Sequence, residues 1–182
     1  HLVIARLTDS LDAQHAFQLL VENRPAPPDV HDVGGPNATE PGDSSFAWVL
    51  LEPGRYMISC FIQAPDGTLH VMKGMFGQID VDGEPLAASP PAGALRITAR
   101  EYALEPSRRL RAGTTTIEFV NAGTQEHDLQ FVRLAPHVEA LRVGARVEGD
   151  TTALRGSHFV GGISGVGPGR RAWTRVTLTP GR

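Results

Sequence analysis

The stretch Gly54-Arg-Tyr-Met-Ile-Ser-Cys60-Phe-Ile-Gln-Ala-Pro-Asp-Gly-Thr-Leu-His70-Val-Met-Lys-Gly-Met75-Phe-Gly-Gln-Ile-Asp-Val81 reads as strand, loop, strand. Residues 55–62 and 76–81 have the apolar and β-branched character of strands, and Pro65-Asp66-Gly67 between them is a turn signal. The cysteine sits at the end of the first strand, with His70 and Met75 following on the loop. A thiolate, an imidazole and a thioether thus fall between positions 60 and 75. That soft donor set suits copper, since a single thiolate with imidazoles and a weak axial Met is a copper arrangement, whereas hard cations require oxygen ligands. Cys60 is the chain's single cysteine, so no internal disulfide is available. A lone cysteine on a strand also serves as a small buried apolar side chain, and the ligand pattern has to be weighed against that use.

Working outward, residues 46–51 form another strand-like run, closed by Glu52-Pro53-Gly54. Beyond the second strand, residues 83–94 are rich in Pro and Ala without any period, and read as a stiff linker. Alternating runs resume at 95–100, 114–121 and 127–134. With 20 Gly and 14 Pro and few helical patterns, the chain reads as all-β with many turns. One short inserted helix per repeat is expected. Leu11, His15 or Phe17, Leu19 and Leu20 follow a helical spacing behind the capping candidates Asp9 and Ser10, and a matching segment opens after Pro136 over 138–143. Residues 25–41 and 151–168 read as long loops.

The chain also repeats itself. The segment 1–55 aligns with 128–182 without a gap, and Val33-Gly34-Gly35, Pro41-Gly42 and Pro53-Gly54-Arg55 recur as Val160-Gly161-Gly162, Pro168-Gly169 and Pro180-Gly181-Arg182. His1 falls inside a strand pattern, so the repeats are cut out of phase. Residues 1–82 read as the C-terminal part of a first repeat with the ligand-bearing loop, 83–94 as the linker, and 95–182 as the N-terminal part of a second.

The pattern Gly-x-Tyr-x-x-x-Cys, a loop, His-x4-Met and then an alternating strand resembles the copper loop of the cupredoxins, the plastocyanin and azurin family. Ala112-Gly113, Ile117-Glu-Phe-Val-Asn121-Ala-Gly123 and His127-Asp128-Leu129 are similar to the segment that carries the first histidine ligand there. The resemblance implies a cupredoxin-like Greek-key β-sandwich. It implies a mononuclear type 1-like copper site with Cys60 as thiolate, His70 and His127 as imidazoles and Met75 as axial ligand. It further implies electron transfer with a redox partner protein and a periplasmic or extracellular location. The gap between Cys60 and His70 exceeds the spacing of small plastocyanins, and the first-repeat counterpart of His127 falls one place before His1. The strands of 95–134 are therefore expected to pack with 1–82 into one permuted sandwich, within a chain or in a strand-swapped homodimer, with His127 beside Cys60 and His70 and with 135–182 redundant with 8–55.

Other classes fit less well. The net charge of −3 comes without a basic stripe, so nucleic acid is not an expected partner, and no apolar run approaches the roughly 20 residues of a membrane-spanning helix. No His-x-His pair, Gly-x-Ser-x-Gly elbow or His-Glu-x-x-His helix occurs, so an enzyme is not expected. His31 and His158, equivalent in the repeat, read as turn residues. A metal-free structural or interaction module and a copper storage or delivery protein are the alternative readings.

Overall fold

The computed structural model describes residues 1–84, 89, 91–140 and 153–181. Its strands are β1 (Val3–Arg6), β2 (His31–Gly34), β3 (Ala47–Trp48), β4 (Gly54–Ser59), β5 (Phe76–Val81), β6 (Leu95–Arg100), β7 (Ala103–Pro106), β8 (Gly113–Asn121), β9 (His127–Arg133), β10 (His158–Val166) and β11 (Arg171–Leu178). Among the described residues one α-helix, α1 (Ala13–Val21), lies between β1 and β2. Two sheets result, one in the order β5-β4-β1-β2-β10-β9 and the other β3-β11-β8-β6-β7. All neighbours are antiparallel except the parallel pair β6 and β8. The expected all-β sandwich is therefore what the chain forms.

The sheets close over a shared core. Leu129, Ile163 and Val166 from the six-stranded sheet meet Leu95, Ile97, Ala99, Ile117, Phe119, Ala172 and Val176 from the five-stranded one. Strand β6 alternates between buried and less buried positions as a one-sided strand must, whereas the later part of β10 is buried at every position. That is why 158–166, inside the segment read as a loop over 151–168, is a strand: Gly161, Gly162 and Gly165 are strand residues in a crowded layer, where the absence of a side chain lets backbones approach. His31 likewise opens β2 inside the segment read as a loop over 25–41.

The internal repeat is visible in the pairing. Arg6 faces His31 and Ile4 faces Gly34; at the corresponding positions of the second copy Arg133 faces His158 and Phe131 faces Gly161. A Cβ on Gly35 would lie 1.9 Å from the Leu2 carbonyl oxygen, and one on Gly162 would lie 1.9 Å from that of Leu129. The second glycine of each Val-Gly-Gly is thus required by the same close approach in each repeat.

Three details differ from expectation. The cap of α1 is Asp12, whose carboxylate accepts the His15 N–H at 2.8 Å, rather than Asp9 or Ser10. Residues 138–140 are not helical, and 141–143 of the second expected helix lie outside the described residues, as does part of the 83–94 linker. Strands β7 and β11 were not anticipated; β11 pairs along its length with β8, from Arg171 opposite Val120 to Leu178 opposite Gly113.

Candidate metal centre

Strand β4 is paired to β1 on one side and to β5 on the other. Its residues carry the chain to Cys60, which is 3% exposed. The loop that follows is braced locally. Ala64 N–H donates to Thr68 O at 2.8 Å, Asp66 accepts from Thr68 N–H at 3.0 Å, and the Lys73 ammonium reaches Asp66 at 2.7 Å. These contacts close the Pro65-Asp66-Gly67 turn. They bring the chain back so that His70 N–H donates to Ile62 O at 2.8 Å and Val71 N–H to Cys60 O at 2.8 Å.

His70 opens a 3-10 turn, His70–Lys73, which ends at Gly74 in the left-handed region with φ of 91°. Val71 on that turn is fully buried, packed with Leu7, Leu11 and Met57, and pins the turn against β4. Met75 then bonds back on both sides: its N–H donates to His70 O at 3.0 Å and its carbonyl accepts from Cys60 N–H at 3.2 Å. The backbone alone therefore ties Cys60, His70 and Met75 into one corner.

The side chains agree in part. Cys60 Sγ and His70 Nδ1 stand 3.6 Å apart. A tetrahedral metal holding a thiolate at about 2.3 Å and an imidazole at about 2.1 Å separates those two donors by about 3.6 Å, so the pair fits a soft metal ion as well as it fits a thiol–imidazole hydrogen bond. Met75 is 55% exposed and lies at the surface of the corner. Phe61, Ile62 and Met72 are exposed on the same loop, giving the site an apolar rim.

His127 is not brought to this corner. It begins β9, the far edge strand, and β10, β2 and β1 stand between it and β4. Four steps of about 4.8 Å separate the two strands by about 19 Å. The order of strands in the sheet, not the distance along the chain, is responsible. Among the described residues the buried His127 Nε2 has no hydrogen-bond partner, and its neighbour Asp128 accepts Gly165 N–H at 2.5 Å.

His1, a residue to which sequence reasoning gave no role, stands beside this corner against the Phe61 backbone and does not join the Cys60–His70 pair. Val3 opposite Ser59 sets Leu2 against Cys60 and His1 against Phe61, and Phe61 N–H donates to His1 Nδ1 at 3.4 Å. Among the described residues no three His, Cys, Asp or Glu side chains converge to hold a metal ion. His31 and His158 take separate structural positions: His31 Nδ1 lies 2.9 Å from Asp29 O, and burial holds its ring below the usual histidine pKa, while His158 Nε2 lies 3.0 Å from Asp43.

No family model matches the chain, and neither a curated protein nor a solved structure does so.

Proposed function

We propose that the chain is a mononuclear copper-binding protein of cupredoxin type that transfers electrons and is not itself an enzyme. The observation that carries this reading is the 3.6 Å approach of Cys60 Sγ and His70 Nδ1, held by backbone bonds that also fix Met75. Cys60 would supply the thiolate, His70 one imidazole and Met75 a weak axial thioether, and bound copper would supply one-electron redox chemistry. Among the described residues no second histidine joins this pair, His127 lying four strands away, so the copper would complete its coordination from outside the pair. A rim of Phe61, Ile62, Met72 and Met75 is suited to a redox partner that excludes water as it docks. A periplasmic or extracellular location follows from the family resemblance.

A metal-free interaction module is the second reading, and the observation favouring it is that no three His, Cys, Asp or Glu side chains converge among the described residues. Native mass spectrometry after adding Cu(I) or Cu(II) to the reduced protein separates the two. Copper binding predicts one retained copper per chain, lost in Cys60→Ser. A chain that retains no copper, or the same amount in Cys60→Ser, is the metal-free module. Retention of Cu(I) alone indicates storage or delivery.

A further inference from the structure

We propose that the outer edge of β9 is a strand-docking site, built to take an antiparallel strand of the β4 type, Gly-x-Tyr-x-x-x-Cys, in the register that β4 holds on β1.

The internal repeat supplies the geometry. Strand β1 has two partners: on β2 it pairs Arg6 with His31, and on β4 it pairs Val3 with Ser59 and Arg6 with Tyr56. Strand β9 reproduces the first relation, Arg133 with His158, but among the described residues its other side has no strand. The direction of the backbone groups follows from the same alignment. Leu7 N–H donates to Arg55 O at 2.8 Å, so alternate residues Val3, Ala5 and Leu7 face β4, while Leu2 N–H turns the other way to Pro36 O at 2.9 Å. Their counterparts Gln130, Val132 and Leu134 therefore present donors and acceptors to the outer edge. Leu129 O faces inward, where Asn37 Nδ2 donates to it at 3.3 Å, in keeping with that assignment.

Packing points the same way. In the first repeat Leu7 and Leu11 bury against Met57 of β4 and Val71 of the loop after it. Their counterparts Leu134 and Val138 belong to a smaller cluster with Ala135, Leu154, Val132 and Phe159, into which no described strand delivers a Met57 equivalent. His127 adds a third sign, because its Nε2 is buried and has no hydrogen-bond partner among the described residues. A docked strand in the β4 register puts its cysteine opposite Leu129, on the same face as His127 and two residues from it. That last consequence rests on the copper reading; the docking does not. Main-chain bonds at a free edge provide affinity, and the alternate side chains provide selectivity.

The test titrates the full chain with the peptide Gly-Arg-Tyr-Met-Ile-Ser-Ser-Phe, residues 54–61 with serine for Cys60, so that no metal contributes. Amide hydrogen exchange should slow at Gln130, Val132 and Leu134 by about tenfold or more at saturation. A peptide N-methylated at the positions of Met57 and Ser59, whose amides face β1 in the first repeat, should not bind. Val132→Pro, which removes an outward N–H at an edge where proline is tolerated, should also abolish binding. The proposal is overturned if no protection develops on β9, if protection develops elsewhere, if the peptide instead displaces the chain's own β4, or if a scrambled or the N-methylated peptide binds equally well.

Discussion

At the residue scale, the donor types and their spacing were legible, because a thiolate, an imidazole and a thioether between positions 60 and 75 are unusual company and each is a good ligand for a soft metal. What the spacing could not convey is how they are held: three backbone hydrogen bonds link Cys60 to Val71 and Met75, and His70 to Met75. Met75 makes its backbone contacts with its side chain largely outside, so its contribution to copper should be weak. Met75→Leu is expected to retain one copper per chain and to raise the reduction potential, as a voltammetric titration would read; loss of all copper in that variant would mean Met75 is a principal ligand. His127 was misplaced for a physical reason, since only the strand order separates it from β4. The glycines give a sharper residue-level prediction. Gly35→Ala and Gly162→Ala each drive a methyl into a carbonyl oxygen, of Leu2 and Leu129 respectively, and each should cost about 3 kcal/mol in urea unfolding. Gly162 also holds a φ of 152°, which strains an alanine, so its cost should be the larger of the two.

At the scale of elements, strands with one solvated face were found by their alternation: β5, β6, β8 and β9 fall where period-2 runs occur. Strand β10 escaped because its later part is buried throughout and interrupted by glycine, so it shows no alternation to detect, and β7 escaped because every residue of it is exposed. The cap of α1 moved to Asp12 because that carboxylate sits three residues before the N–H it accepts, the geometry an N-cap needs. The 3-10 turn that carries His70 depends on Val71, which packs among Leu7, Leu11, Ala13 of α1 and Met57 of β4. Val71→Ala should therefore lower stability by about 2 kcal/mol and loosen His70 together with it. Copper affinity, measured by chelator competition, should fall in that variant although no ligand has been changed; unchanged affinity would show that the turn is held by its hydrogen bonds alone.

At the scale of the molecule, the six-stranded sheet is joined across its middle by β2 and β10, which share the register pair Val33–Val166, with the bridges Pro36–Ile163 and Thr39–Val160 beyond it. Asp32 lies at that seam, its carboxyl beside Gly165, whose N–H bonds Asp128. Burial, reinforced by Glu126 and Asp128, pushes the Asp32 carboxyl up to about 8. Between the unfolded value of about 4 and that folded value, the folded chain holds a proton the unfolded chain has released, so stability should fall as pH rises through this window and level off above it. Asp32→Asn should flatten the profile and stabilise the chain at pH 7 by about 2 to 4 kcal/mol, the larger figure being about three pKa units at about 1.36 kcal/mol each. A pH profile of urea midpoints that keeps its slope in Asp32→Asn would assign the effect to another group. The repeat was legible in sequence, but the strand order in which its halves meet, with β10 and β11 from the part read as redundant set inside the sheets, was not, because interstrand pairing between distant segments leaves no local pattern. The central claim is that this fold closes a copper corner at Cys60 and His70. The most direct measurement is the visible absorption of the reduced protein titrated with Cu(II). An intense thiolate-to-copper band saturating at one copper per chain, and absent from both Cys60→Ser and His70→Ala, is the predicted result. A featureless spectrum, or a band that survives either substitution unchanged, would contradict the account.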